Sequence, residues 1–180
     1  TGMLLAYNLP VSMPIWMAAV GSVFAILVVK MVFGGLGQNL FNPALVGRVF
    51  LLLSFPVQMT SWPTAIQFDG TTAATPLALI KAGKFEELPD AISLLLGNGI
   101  EGVGAGCIGE VSELALIIGL VYMLWKKIIT WHIPVSILLT VFVFGGIMHL
   151  ANPAAYASPM YHLLSGGLLL GACFMATDYV

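Results

Sequence analysis

Long apolar runs alternate with short polar clusters along this chain, and their spacing is the first guide to its structure. A helix needs about 20 apolar residues to cross the hydrocarbon core of a bilayer. Residues 13–33 reach that length, and Lys30 lies near one end, where its stem can follow apolar surface while its head reaches water. The same pattern predicts helices over residues 107–125, 133–150 and 161–180, and a partial one over residues 1–9. Between the first two long runs, "GGLGQNLFNPA" (residues 34–44) interrupts the pattern with glycines, Gln38, Asn39 and Asn42. Asn42 before Pro43 reads as an N-cap and first helical residue, because proline lacks the N–H that would be orphaned there. The helix that follows, over residues 42–55, is too short for a full span. Non-helical backbone at membrane depth is tolerated only where protein or a cavity surrounds it. The pattern therefore predicts a broken or re-entrant helix, with residues 34–43 non-helical and buried.

Residues 57–106 are mixed in character and hold most of the acidic side chains. They read as an extramembrane or interfacial segment with short helices over 76–82 and 90–96, followed by the connector "GNGIEGVGAG". Placing Lys126 and Lys127 on the cytoplasmic side puts this segment outside, with Lys81 and Lys84. Lys30 and Arg48 then fall in or near the inner half, as an excess of basic residues on the cytoplasmic side requires.

Composition sharpens the class. Hydrophobic residues make up 59% of the 180, and charged residues 8%, against about 25% charged in soluble domains. The expectation is an all-α, polytopic membrane protein forming a single transmembrane domain over residues 1–180. A net charge of −2 offers no basic footprint for nucleic acid. Cys107 and Cys173 lack metal-ligand spacing and read as packing residues. His132, His149 and His162 likewise show no ligand pattern, so no metal is expected. The chain opens at Thr1 without an initiator methionine or basic leader and ends inside an apolar run, which suggests a fragment of a longer protein.

Several residues are candidates for chemistry. Thr75 precedes Pro76, which favours extended backbone at Thr75 and a helix start at Pro76. The plain reading is a helix cap. The same geometry would let a phosphate esterified to the Thr75 oxygen face the N–H groups of Leu77 and Ala78, a ready anion site. Arg48, within an apolar helix, is costly and marks either function or snorkelling to an interface. Glu110 and Glu113 would share one helix face near its N-terminus, where the dipole favours a structural role over ion binding. Asp178 falls near the end of the last helix, where it is solvated or takes a packing or ion role. The triplets Asn42-Pro43-Ala44 and Asn152-Pro153-Ala154 match those of water and glycerol channels, whose half-helices meet at midmembrane. Those channels, however, carry Arg after the second triplet, where Ala155 stands here.

The blocks "GGLGQNLFNPALVGRVFLLLSFP", "DGTTAATPLAL", "GCIGEVSELALIIGLVYML" and "HLLSGGLLLGACFMATDYV" resemble the D subunit of the Rnf electron-transport complex. The B subunit of the sodium-translocating NADH:quinone oxidoreductase is a more distant match. The resemblance implies an inverted-repeat, channel-like fold in the cytoplasmic (inner) membrane of a bacterium or archaeon. It also implies FMN joined through its phosphate to the last Thr of a Ser/Thr–Gly/Ser/Ala–Ala–Thr motif. Here that motif is Thr72-Ala73-Ala74-Thr75, with Ala73 a mild departure. Asn42 and Arg48, on the helix behind the polar break, are the candidate residues lining a cofactor site there. A flavin transferase acting outside the membrane would load the FMN, riboflavin is a possible noncovalent cofactor, and the other Rnf subunits are the partners. The implied role is electron relay in an ion-translocating ferredoxin:NAD oxidoreductase.

Overall fold

The computed structural model describes residues 1–35, 37–63, 73–97, 106–153 and 155–178. All ten α-helices among them are short except one. They are α1 (Gly2–Tyr7), α2 (Ile15–Phe24), α3 (Pro43–Ser54), α4 (Pro56–Thr60) and α5 (Pro76–Lys81). There follow α6 (Ala91–Leu96), α7 (Glu113–Trp125), α8 (His132–Ala151), α9 (Pro159–Leu164) and α10 (Leu168–Leu170). Among the described residues, only α8 is long and apolar enough to cross a membrane by itself.

Residues 13–33 do not form one regular helix. Helix α2 starts after Pro14 and passes into a π-helical stretch, Ala25–Met31, so that the apolar helix covers Ile15–Met31. Helices α2 and α3 cross closely because small residues line the crossing. A Cβ built on Gly47 would stand 3.0 Å from the Ala25 Cβ, and one on Gly21 would run into Leu51. Backbones approach in this way where side chains are absent, a common device of membrane helices. Phe24 and Phe50 stack beside the crossing, with ring centroids 4.0 Å apart.

The break after Met31 is real but lies at the surface of this chain. Gly34, Gly35 and Gly37 take φ of 109°, 88° and 79°, conformations that only glycine adopts without steric cost. The arc they make swings away from the helices, leaving Leu40 and Phe41 70% and 68% exposed. The expectation of a buried segment is thus corrected. Asn39 is half-buried within the arc, and at Asn42 and Pro43 the chain rejoins the helical body. Asn42 caps α3 as expected, its Oδ1 accepting from Ala44 N at 3.0 Å and Leu45 N at 3.2 Å.

Two other expected helices are also broken. The 107–125 segment divides into a 3₁₀ turn, Ile108–Glu110, and then α7, which Ser112 caps. Glu110 and Glu113 therefore do not share a face of one helix. The 161–180 segment runs as α9, turns at Ser165–Gly167, resumes as α10 and ends in a π-helical stretch, Gly171–Met175. Gly166 supplies the positive φ of 76° that this turn needs. The second triplet starts no helix: Asn152 ends α8, and the next helix begins at Pro159. A pore between two half-helices starting at Pro43 and Pro153 is excluded by this. His149 closes the α8–α9 turn, its ring N–H donating to the Tyr156 carbonyl at 2.7 Å.

The core has two parts. One gathers Leu5 and Leu9 with Ala44, Leu51, Met59, Leu170 and Met175, so the short α1 lies between α3 and the last passage. The other packs Leu169, Ala172 and Cys173 against Leu116, Ile117 and Leu120 of α7 and Ile137 and Leu138 of α8. Both cysteines are buried and free.

Candidate functional site

The break in the last passage is where the polar side chains of the interior meet. Asn42 Nδ2 donates to the Met175 carbonyl at 3.0 Å, joining the start of α3 to the end of the π-helical stretch. Asn8, 2% exposed, donates from Nδ2 to the Leu4 carbonyl at 2.8 Å and to Met175 Sδ at 3.4 Å. Its Oδ1 accepts from Arg48 Nη1 at 2.9 Å. Arg48 thus turns inward to α1 rather than outward to an interface, and snorkelling does not describe it.

A Cβ built on Gly167 would lie 3.2 Å from Glu110 Oε1, 3.6 Å from Arg48 Nη1 and 3.8 Å from Asn8 Oδ1. Three polar groups therefore close over one bare backbone position. Glu110 is held there by its own turn, with Oε2 accepting from Cys107 N at 3.3 Å. Arg48 and Glu110 both lie within electrostatic reach of the Cys107 thiol. The Ser165–Gly167 turn was missed in the sequence, although the "SGG" inside an apolar run was its visible signal.

Thr75 lies at the edge of this region. It is half-buried with φ −70° and ψ 159°, and its Oγ1 accepts from Ala78 N at 3.3 Å, so it caps α5. Leu77 and Ala78 are both exposed. Helix α5 leans on the second break: a Cβ on Gly166 would touch Leu77 Cδ2 at 3.4 Å. Ala73 N donates to the Trp62 carbonyl at 3.1 Å, tying the residue just before the Ala74-Thr75 step to the end of α4. Thr72 lies outside the described residues. The Thr75 hydroxyl fits a phosphoester in that its capping bond is long and lies exposed.

The remaining candidates separate. Glu113 is 1% exposed, and neither of its carboxylate oxygens has a hydrogen-bond partner among the described residues. Glu113 does stand in the first turn of α7, as expected, but Glu110 lies in the separate turn before it, so the two do not act on one helix face. Asp178 is half-buried, one residue beyond Thr177, whose Oγ1 donates to the Cys173 carbonyl at 2.7 Å.

The arrangement is that of a helical membrane protein whose interrupted helices converge on a polar junction, with a capping threonine beside it. The chain belongs to the NQR2, RnfD, RnfE family, whose model matches residues 1–180. It is 51% identical over 180 residues to the D subunit of the Na(+)-translocating ferredoxin:NAD(+) oxidoreductase complex of Acetobacterium woodii, covering 99% of this chain and 53% of that relative. It is 40% identical over 221 residues to the D subunit of the ion-translocating oxidoreductase complex of Salmonella paratyphi B, and equally to that of Salmonella newport. Each of these alignments covers 100% of this chain and 60% of the relative. The chain thus spans somewhat over half the length of the curated relatives it matches.

Proposed function

We propose that this chain is the flavin-bearing part of an Rnf-type D subunit, with FMN esterified through its phosphate to Thr75. The observation that carries the reading is Thr75 itself. It closes a Thr-Ala-Ala-Thr motif in a member of the family and presents its hydroxyl at the start of a helix, half-buried and reachable. Bound FMN would supply the electron-carrying isoalloxazine, and the protein's task would be to fix its distance from partner cofactors. Leu77 and Ala78 would turn their backbone N–H groups to the phosphate. Asn42 and Arg48 would hold the junction of broken helices beside which α5 lies.

The wider proposal follows the relatives' names and the charge pattern. The complex would couple ferredoxin:NAD oxidoreduction to ion transport in a cytoplasmic (inner) membrane, with the other Rnf subunits as partners. The 57–106 segment would lie outside, where a flavin transferase loads Thr75. The two interrupted passages would then belong to an inverted-repeat, channel-like fold, and riboflavin would be a second, noncovalent flavin of the whole protein.

The test is flavin fluorescence in a denaturing gel, run on the full-length protein from the assembled complex. Thr75→Val keeps the β-branched shape and removes the oxygen; it should assemble and lose all covalent flavin. Capping loss alone costs about 1 kcal/mol, too little to unfold the protein. Thr72→Val should retain its flavin. Fluorescence surviving in Thr75→Val but lost in Thr72→Val would move the attachment to Thr72, fluorescence unaffected by either change would exclude both threonines as the attachment site, and a wild-type protein without fluorescence would end the flavin reading.

A further inference from the structure

Glu113 is the first residue of α7, and this chain alone seals it to 1% exposure. Both carboxylate oxygens are without a hydrogen-bond partner among the described residues. Buried polar groups are ordinarily paired. A buried carboxylate left charged and unpaired carries a desolvation cost that surrounding packing does not repay, so such a group binds a proton instead.

The neighbours leave little alternative. Helices α6 and α10 and the Gly171–Met175 stretch pack on α7. Neither α6 nor α10 carries a titratable side chain, and the groups that feel the Glu113 charge are Glu110 and Cys173. Glu110, next to Arg48 across Gly167, has a backbone donor of its own, whereas Glu113 has none among the described residues. Arg48 donates to Asn8 instead. No group of three His, Cys, Asp or Glu side chains gathers around a metal position among the described residues. The last passage, which packs on α7, also holds Ser165, a buried hydroxyl without a hydrogen-bond partner among the described residues, at its break.

We propose that Glu113 is a proton-binding site inside the membrane domain, a carboxyl that α7 and the broken last passage enclose as the neutral acid. The proposal does not depend on the flavin reading.

Infrared spectroscopy of the intact complex in lipid vesicles tests it. At neutral pH the wild-type complex should show a protonated-carboxyl C=O band. That band should shift when glutamate is labelled with ¹³C and shift again in D₂O. Glu113→Gln, a neutral isostere, should lose the intensity of one carboxyl. Glu113→Asp should keep a protonated carboxyl that no longer responds to ¹³C-glutamate, and it serves if the Gln variant does not assemble. Raising sodium at fixed pH should leave the band unchanged. The proposal is overturned if wild type shows no glutamate-derived band. It is overturned equally if both variants retain that band in full, or if sodium abolishes it, which would make Glu113 a sodium ligand.

Discussion

Asn42 donates from Nδ2 to the Met175 carbonyl at 3.0 Å while its Oδ1 accepts from the first free N–H groups of α3. One side chain therefore satisfies orphan N–H groups at the N-terminus of one helix and adds a second donor to a carbonyl at the end of another, 133 residues further along the chain. Helix ends leave such groups unpaired by construction. A buried meeting of two ends needs a side chain that both donates and accepts, as an amide does.

The two halves of that arrangement can be separated by mutation. Asn42→Ser keeps an N-cap oxygen but is too short to reach Met175. It should destabilise the protein by about 0.5–1.5 kcal/mol, the net worth of one hydrogen bond, because the Met175 carbonyl still accepts from Asp178 N at 3.3 Å. Asn42→Ala loses the cap as well, adding about 1 kcal/mol. Thermal unfolding of the detergent-solubilised protein measures both, and a Ser variant as stable as wild type would mean that the bond to Met175 contributes nothing.

Arg48 and Asn8 should behave as a coupled pair. Asn8→Leu removes the acceptor of Arg48 Nη1, and Arg48→Met leaves Asn8 Oδ1 unpaired. Each single change should cost about 1–3 kcal/mol or more. The double variant should cost less than the sum, with a coupling of about 0.5–3 kcal/mol. Additive losses in the thermal unfolding of the four proteins would show that the 2.9 Å bond is not an energetic link.

Sidedness is open to direct labelling. Lys84 is exposed and paired with Glu87 at 2.8 Å, and Lys127 is exposed in the turn after α7. Cys107 and Cys173 are buried, so they contribute little background. Lys84→Cys should react with an impermeant thiol reagent added to intact cells, and Lys127→Cys should react only after the membrane is opened. The opposite pattern would invert the topology and remove the outside location proposed for Thr75.

Residue chemistry at helix starts was legible without coordinates. Asn42 with Pro43 and Thr75 with Pro76 both cap the helices they precede, because an N-cap oxygen and a proline at the first helical position are local requirements. The glycine run at 34–37 announced a break for the same reason, since positive φ is a property of the residue itself.

What the sequence by itself determined about this protein was its all-helical, membrane-type character, its first break and its family. Each of these rests on local pattern: apolar run length, turn residues and contiguous motifs. Only the tertiary structure decided that the break at 34–43 lies at the surface, that Ser165–Gly167 makes a second break, and that Arg48 turns to Asn8. It also decided that Glu113 is sealed and unpaired while Glu110, three residues earlier, is held by the Cys107 N–H. Burial and pairing are set by which distant segments pack together. An apolar run reads the same whether its outer neighbour is lipid or another helix, so the partners of a polar residue within it emerge only when the chain is folded.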